Sequence, residues 1–254
     1  MNLHLLCDKI QDFLNTKIGE EIVKKHNVDL KYNKLDLKNE LIISRGLFLA
    51  KKQYAIHVIQ QESKTVDENV YMGIAVKRSD FPSESKEFLK ELLDMVLKSE
   101  EINIPIITSF INRKKGEFIK LINEGSKTIA KPVSFAKKLE TYKKVPQGVV
   151  SMINFNLLFY EVHTTGTKAY LFKIKGIDRE KAPKEIIDNY EKNFVAKNRK
   201  LEVIAIPDEE QKWPSYFIPD MKAALKFSFV DRYEQILKPL FQVKEDKLKQ
   251  SMII

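Results

Sequence analysis

The hydrophobic pattern along the chain separates a short opening part from a longer, helix-dominated one. Leu3, Leu6, Ile10, Phe13, Leu14, Ile18 and Ile22 recur at the spacing of one helix face, which predicts an amphipathic helix over residues 3–25. Cys7 falls on the same face and is expected as a buried core thiol. From residue 40 the period changes. Glu40–Ser44 and Leu47–Ile59 read as β-rich runs separated by a bend at Arg45-Gly46. A polar loop at Glu62–Asn69 and a third strand-like run, Val70–Val76, complete a small antiparallel sheet.

Helices dominate after Asp80-Phe81-Pro82-Ser83, a helix start signal. Phe88, Leu89, Leu92, Leu93, Val96 and Leu97 form an apolar stripe. Ile106, Phe110, Phe118 and Leu121 repeat the pattern over 105–123, as one helix or as two broken at Arg113-Lys114-Lys115-Gly116. Ser134–Tyr142 reads as a short basic helix, and Gln147–Tyr160, mostly apolar, as a buried one. Strands are expected at 168–175 and 201–206 with a helix at 183–193 between them. Pro207–Pro219 is a loop holding Trp213, and the last helix covers 220–237. The reading is α+β: a helix with a small antiparallel sheet, then a mostly helical domain with a small β insertion.

Composition narrows the function classes. No apolar run reaches the ~20 residues of a membrane span, and no signal-peptide pattern opens the chain. The single cysteine excludes a disulfide framework, and His4, His26, His57 and His163 lie far apart. The net charge is +9, and residues 102–150 alone carry ten cations against Glu117, Glu124 and Glu140. Concentrated positive charge is the footprint of a polyanion partner. Only six of the 44 basic residues are arginine, which favours phosphate contacts over base reading. No phosphate-binding glycine loop, nucleophile elbow or Asp-x-Asp pair occurs, so no self-sufficient catalytic centre is expected.

Four segments, in order, resemble family B DNA polymerases of the T-even phage type. Ala50-Lys51-Lys52-Gln53-Tyr54-Ala55 is similar to the K-K-R-Y motif of a palm strand, with Gln53 in place of the arginine. Glu40 stands eleven residues before Lys51, where cellular members carry a Glu, and is the one candidate palm carboxylate. Tyr71–Pro82 resembles the segment where palm hands over to thumb and contains Arg78-Ser79-Asp80. Pro146–Asn156 is similar to a thumb segment, with Gly148 and Val150 where the family has His and Arg. Val230–Leu240 resembles the end of that thumb, a helix closing on Lys238-Pro239-Leu240.

The resemblance implies residues 1–80 as the end of the palm and 81–254 as the thumb, with 157–210 as a small α/β insertion. It implies DNA contacts from Lys51, Lys52, Tyr54, Arg78, Ser79, Lys131, Lys137, Lys138, Lys143 and Lys144. Lys52 would sense correct pairing in the minor groove, and Arg78 and Ser79 would hold the primer backbone. The exonuclease, the fingers and both catalytic aspartate motifs precede the matched region in the family. The chain is therefore expected to be one half of a split phage polymerase, inactive alone. Its partners would be primer–template duplex DNA and a companion chain holding most of the Mg2+. A sliding clamp is a further implied partner, which the tail Lys249–Ile254 matches poorly. The cytoplasm of an infected bacterial host is the expected location. The alternative is a free-standing, non-catalytic DNA-binding accessory protein. That reading expects a polar surface over residues 1–60, whereas a split polymerase expects an exposed apolar one.

Overall fold

A computed structural model describes residues 3–27, 29–62, 64–161, 163, 165–209 and 213–230. The class is α+β, in two compact units that meet in the chain between Met72 and Gly73. The final segment 231–240 and the tail 249–254 lie outside the described residues.

The first unit opens with α1, Leu3–His26. Lys24, Lys25 and His26 occupy its last turn, where cations complement the helix dipole. The helix stops at Asn27, in the left-handed conformation that asparagine tolerates (φ +51°). Its apolar face differs from expectation, because none of its described side chains is fully buried. Leu5, Ile10, Phe13 and Leu14 are between 41% and 61% exposed, and Cys7 is half-buried, not a core thiol. An extended run is tied along the helix by Asn15. Its amide donates to the Leu37 carbonyl (3.0 Å) and accepts from the Leu37 N–H (2.8 Å), as a neighbouring strand would.

The sheet is an antiparallel meander of β1 (Leu41–Ala50), β2 (Gln53–Gln61) and β3 (Lys64–Met72). The expected bend at Arg45-Gly46 does not occur. β1 continues through it with a register shift between Ile43 and Arg45, and Arg45 lies opposite His57 and Gly46 opposite Ile56. Cross-strand pairing outweighs the local turn preference of Gly, and the Phe48 ring lies over the space that Gly46 leaves. The reversal comes instead at Lys51-Lys52. The expected loop at Glu62–Asn69 is mostly β3, an edge strand whose Asp67 and Glu68 remain in solvent, a common way to blunt an edge. That strand ends at Met72, short of the expected Val76.

In the second unit, α2 (Ser83–Lys98) buries Phe88, Leu89, Leu92, Leu93, Val96 and Leu97, as its stripe predicts. α3 (Ile104–Asn123) is one helix, capped by Asn103, whose side chain accepts from the Ile106 N–H (3.2 Å). Arg113-Lys114-Lys115-Gly116 does not break it. Gly116 faces open space, and Lys114 turns inward to Glu91 (2.8 Å) and Glu117 (3.5 Å). Burial pulls the Lys114 pKa down, but the two carboxylates outweigh it and hold the pKa above the ordinary lysine value. Four rings close this core. Phe88 lies 5.8 Å from Phe110, 5.9 Å from Phe118 and 4.6 Å from Phe229.

The remaining elements build a second sheet. β4 (Lys131–Ser134), β5 (Lys168–Ile177) and β6 (Val203–Pro207) run in that order, and β7 (Phe217–Pro219) pairs with the far half of β5. The strands of the 157–210 region therefore share a sheet with residues before and after it. β7 also falls inside the stretch expected as a loop, Pro207–Pro219. α4 (Gln147–Phe159), apolar on most sides, lies against β6 through the Asn154 amide, which donates to the Val203 carbonyl (2.8 Å). Its last carbonyls are capped from α5 (Lys184–Tyr190) and the π-turn that continues it, Asn189 donating to Leu158 and Asn193 to Leu157. α6 (Met221–Leu225) continues as a wider turn to Val230.

The join between α3 and the sheet is glycine-dependent. Gly125 (φ +64°) donates to Ile122 and Ser126 to Leu121, a Schellman end to α3. A methyl at Gly125 would overlap the ring of Trp213, which itself packs on Phe172 (4.4 Å) and Phe217 (5.2 Å). Gly125→Ala combines left-handed strain with overpacking and is expected to cost about 3 kcal/mol. Urea unfolding checks this; a loss under about 1 kcal/mol would mean the Trp213 ring yields freely.

Candidate nucleic-acid interface

The basic stretch at 102–150 is divided by its folding. In α3 three of the four cations find acids, Arg113 with Glu117 (2.8 Å), Lys114 with Glu91 and Glu117, and Lys120 with Glu124 (3.9 Å), while Lys115 is exposed with no ion pair among the described residues. Lys127 reaches Asp208 (3.8 Å). Such pairs contribute little net field to solvent. Lys137, Lys138, Lys143 and Lys144 are exposed, and no ion pair joins them to an acid among the described residues. The uncompensated charge is therefore concentrated in the segment between β4 and α4.

That segment is a loop, not the short basic helix expected over Ser134–Tyr142. Ser134 is taken by β4, where it pairs with Lys168, and Pro146 disfavours helix at the residue before it. Only a single tight turn forms, at Leu139–Thr141. Phe135 and Leu139 are buried and anchor the loop, and the Gly166 N–H donates to the Phe135 carbonyl (2.9 Å). Lys137 sits over the Tyr142 ring at 4.5 Å. The lysines project from a base held in two places.

Arg78, Ser79 and Lys131 come together in the same unit. Nε and Nη2 of Arg78 donate to the two Asp80 carboxylate oxygens at 2.9 Å each, and the guanidinium lies over Phe81 (5.0 Å). Hydrogen bonds from Arg78 hold the Asp80 carboxyl below its ordinary range, and Lys131 adds to that shift. Ser79 and Asp80 line one side of a cleft of about 250 Å³ whose other wall includes Ser134, Lys168, Tyr170 and Asp208.

In the first unit, Lys51 and Lys52 are not on a strand. They form the tight β1–β2 turn, both exposed, and Lys52 has φ +61°. Tyr54 follows on β2, half-buried, 5.9 Å from its cross-strand neighbour Phe48, whose ring is 66% exposed. Left-handed backbone costs a lysine roughly 1 kcal/mol relative to glycine. Lys52→Gly is therefore expected to raise stability by up to about 1 kcal/mol in urea unfolding while removing a tip cation. A loss of stability would show that the Lys52 stem packs usefully.

Glu40 lies at the other end of β1 from Lys51, about 33 Å away along a ten-residue strand, so the two are not neighbours. Among the described residues, no three His, Cys, Asp or Glu side chains gather to hold a metal. No helix among them is long and apolar enough to cross a membrane.

A further basic site has no motif in the sequence. Lys173 and Lys175 of β5 and Arg199 and Lys200 before β6 line a cleft of about 520 Å³ that begins at Gln147. These residues are far apart along the chain, and only the β5–β6 pairing signals their meeting. Compared with known proteins, the chain matches no family model and no curated protein.

Proposed function

We propose that the chain is the DNA-gripping part of a family B DNA polymerase, the end of the palm plus the thumb, and that it completes the active site of a companion chain. One observation favours this over a free-standing DNA-binding protein. Most of the large apolar side chains exposed among the described residues belong to the first unit, including Leu5, Ile10, Phe13, Leu35, Leu37 and Phe48. A solitary protein rarely leaves so many in water, whereas the end of a palm would bury them against its companion's strands. The β1 edge of the sheet is paired with no further strand among the described residues, which fits the same need.

In this reading Lys131, Lys137, Lys138, Lys143 and Lys144 hold the phosphates of the primer–template duplex without reading its sequence. Lys51 and Lys52, at a hairpin tip, reach into the minor groove, where acceptors occupy equivalent positions for every correct pair. Arg78 offers a backbone phosphate its remaining Nη1 edge while Asp80 fixes its plane. The chemistry, attack of the primer 3′-hydroxyl on the α-phosphate of a deoxynucleotide, belongs to the companion's carboxylates.

Primer extension tests the proposal with this chain alone, and mixed with a candidate companion that carries an exonuclease and an Asp-x-Asp motif. Extension only in the mixture supports it. Extension by this chain alone overturns the division of labour. Duplex binding with no extension in either sample favours the accessory-protein reading.

A further inference from the structure

The cleft between β5 and the start of β6 holds cations that the folded chain leaves without partners. Lys173 is half-buried, and its Nζ donates to the neutral Gln147 amide oxygen (2.6 Å), with no carboxylate in ion-pair range among the described residues. Burial pulls its pKa down, only partly opposed by the more distant Asp220 and Glu202. Of those two acids, Asp220 is already used: its Oδ1 accepts from the Ala223 N–H (3.0 Å) and caps α6. Lys175, Arg199 and Lys200 are exposed on the same cleft and have no ion pair among the described residues. Four cations and two carboxylates, Asp220 and Glu202, therefore line the cleft, which keeps a net positive charge.

The placement of Arg199 and Lys200 is fixed by the backbone. The α5 helix ends in a Schellman motif in which Asn198 (φ +48°) donates to Val195 (3.0 Å) and Arg199 donates to Phe194 (2.8 Å). That motif turns the next residues out of the helix and onto the cleft rim. Gln147, the first residue of α4, also lines the cleft; this thirteen-residue helix has Pro146 at its N-cap and no side-chain cap hydrogen bond. The positive end of the helix dipole adds to the Lys173 charge. Tyr190 contributes an aromatic wall.

We infer that this cleft binds the phosphate backbone of an unpaired nucleic-acid strand, separately from the lysine loop that grips duplex. A cleft of about 520 Å³ admits a nucleotide unit but not the width of a double helix. The inference deepens the nucleic-acid reading above and rests on it.

The test is fluorescence anisotropy across a salt series with a short labelled single strand and with a labelled duplex. Two variants are compared with the unmodified chain: Lys175→Gln/Arg199→Gln/Lys200→Gln in the cleft and Lys137→Gln/Lys138→Gln/Lys143→Gln/Lys144→Gln in the loop. The cleft variant should bind the single strand about tenfold more weakly, with its log–log salt slope reduced by about 2, and bind duplex within about twofold of normal. The loop variant should instead weaken duplex binding, by about a hundredfold, and bind the single strand within about twofold of normal. As a second measurement, the single strand should slow acetylation of Lys173, followed by mass spectrometry.

Normal single-strand binding by the cleft variant overturns the inference, while a duplex defect in the loop variant would leave the broader reading standing. Equal weakening of both ligands by the cleft variant also overturns it, since a general field would then explain the effect. If the unmodified chain binds neither ligand, both the inference and the nucleic-acid reading fail.

Discussion

Replacing Lys137, Lys138, Lys143 and Lys144 together by glutamine is expected to weaken duplex binding by about two orders of magnitude. The log–log salt slope should become shallower by about 3.6, at roughly 0.9 for each phosphate that is no longer neutralised. The size of the effect follows from the absence of internal partners. Glu140, the one acid inside the loop, pairs with none of the four lysines, so each is free to release a counterion from DNA. Stability should not change, because Phe135 and Leu139 hold the loop and the four side chains are exposed. Arg113→Gln/Lys120→Gln/Lys127→Gln is the informative control. It removes three charges from the same stretch of sequence, but ones already paired with Glu117, Glu124 and Asp208. Anisotropy titrations at several salt concentrations decide the matter. If the control weakens binding as much as the loop variant does, the loop is not the interface and only net charge counts.

Phe88→Ala is expected to destabilise the second unit by about 3–5 kcal/mol, lowering its melting temperature by roughly 10 °C. Phe88 is fully buried and is in ring contact with Phe110, Phe118 and Phe229 at once. It thus joins α2 to α3 and to the turn after α6. The surroundings cannot collapse into the space easily, because Ser85 on the same helix is fixed by donating to the Ser228 carbonyl (2.6 Å). Thermal unfolding followed by circular dichroism measures the loss. Phe48→Ala provides the contrast, since that ring is mostly in solvent and its removal should change stability by less than about 0.5 kcal/mol. A small loss at Phe88 would mean that the aromatic cluster repacks around the gap.

The helices of the second unit were legible because burial there follows local periodicity. The stripe from Phe88 to Leu97 faces inward along its whole length, and the apolar helix at 147–159 buries Val149, Met152, Phe155 and Leu158 but leaves Val150 exposed. Strand boundaries were less legible. Arg45-Gly46 looks like a turn in isolation, yet its pairing with Ile56 and His57 keeps it in β1 and moves the reversal to Lys51-Lys52. The basic helix expected at Ser134–Tyr142 does not form for a related reason, since pairing between β4 and β5 takes its first residue. In both places non-local hydrogen bonds outweigh a local preference.

From the sequence alone came the class, the order of most elements and the presence of an unusual concentration of positive charge. These depend on residue type and spacing, which a single chain displays directly. The tertiary structure decided which of those charges are free. Lys114, Lys120 and Lys137 are alike as residues, but only folding gives the first two their acids and leaves the third over the Tyr142 ring without one. It also brought Lys173 beside Arg199, because strand pairing joins positions with no common motif. Finally, it left the apolar face of α1 open to water, although its spacing is that of a core helix. Periodicity records that a surface can be buried, and only the arrangement of the whole chain determines whether anything covers it.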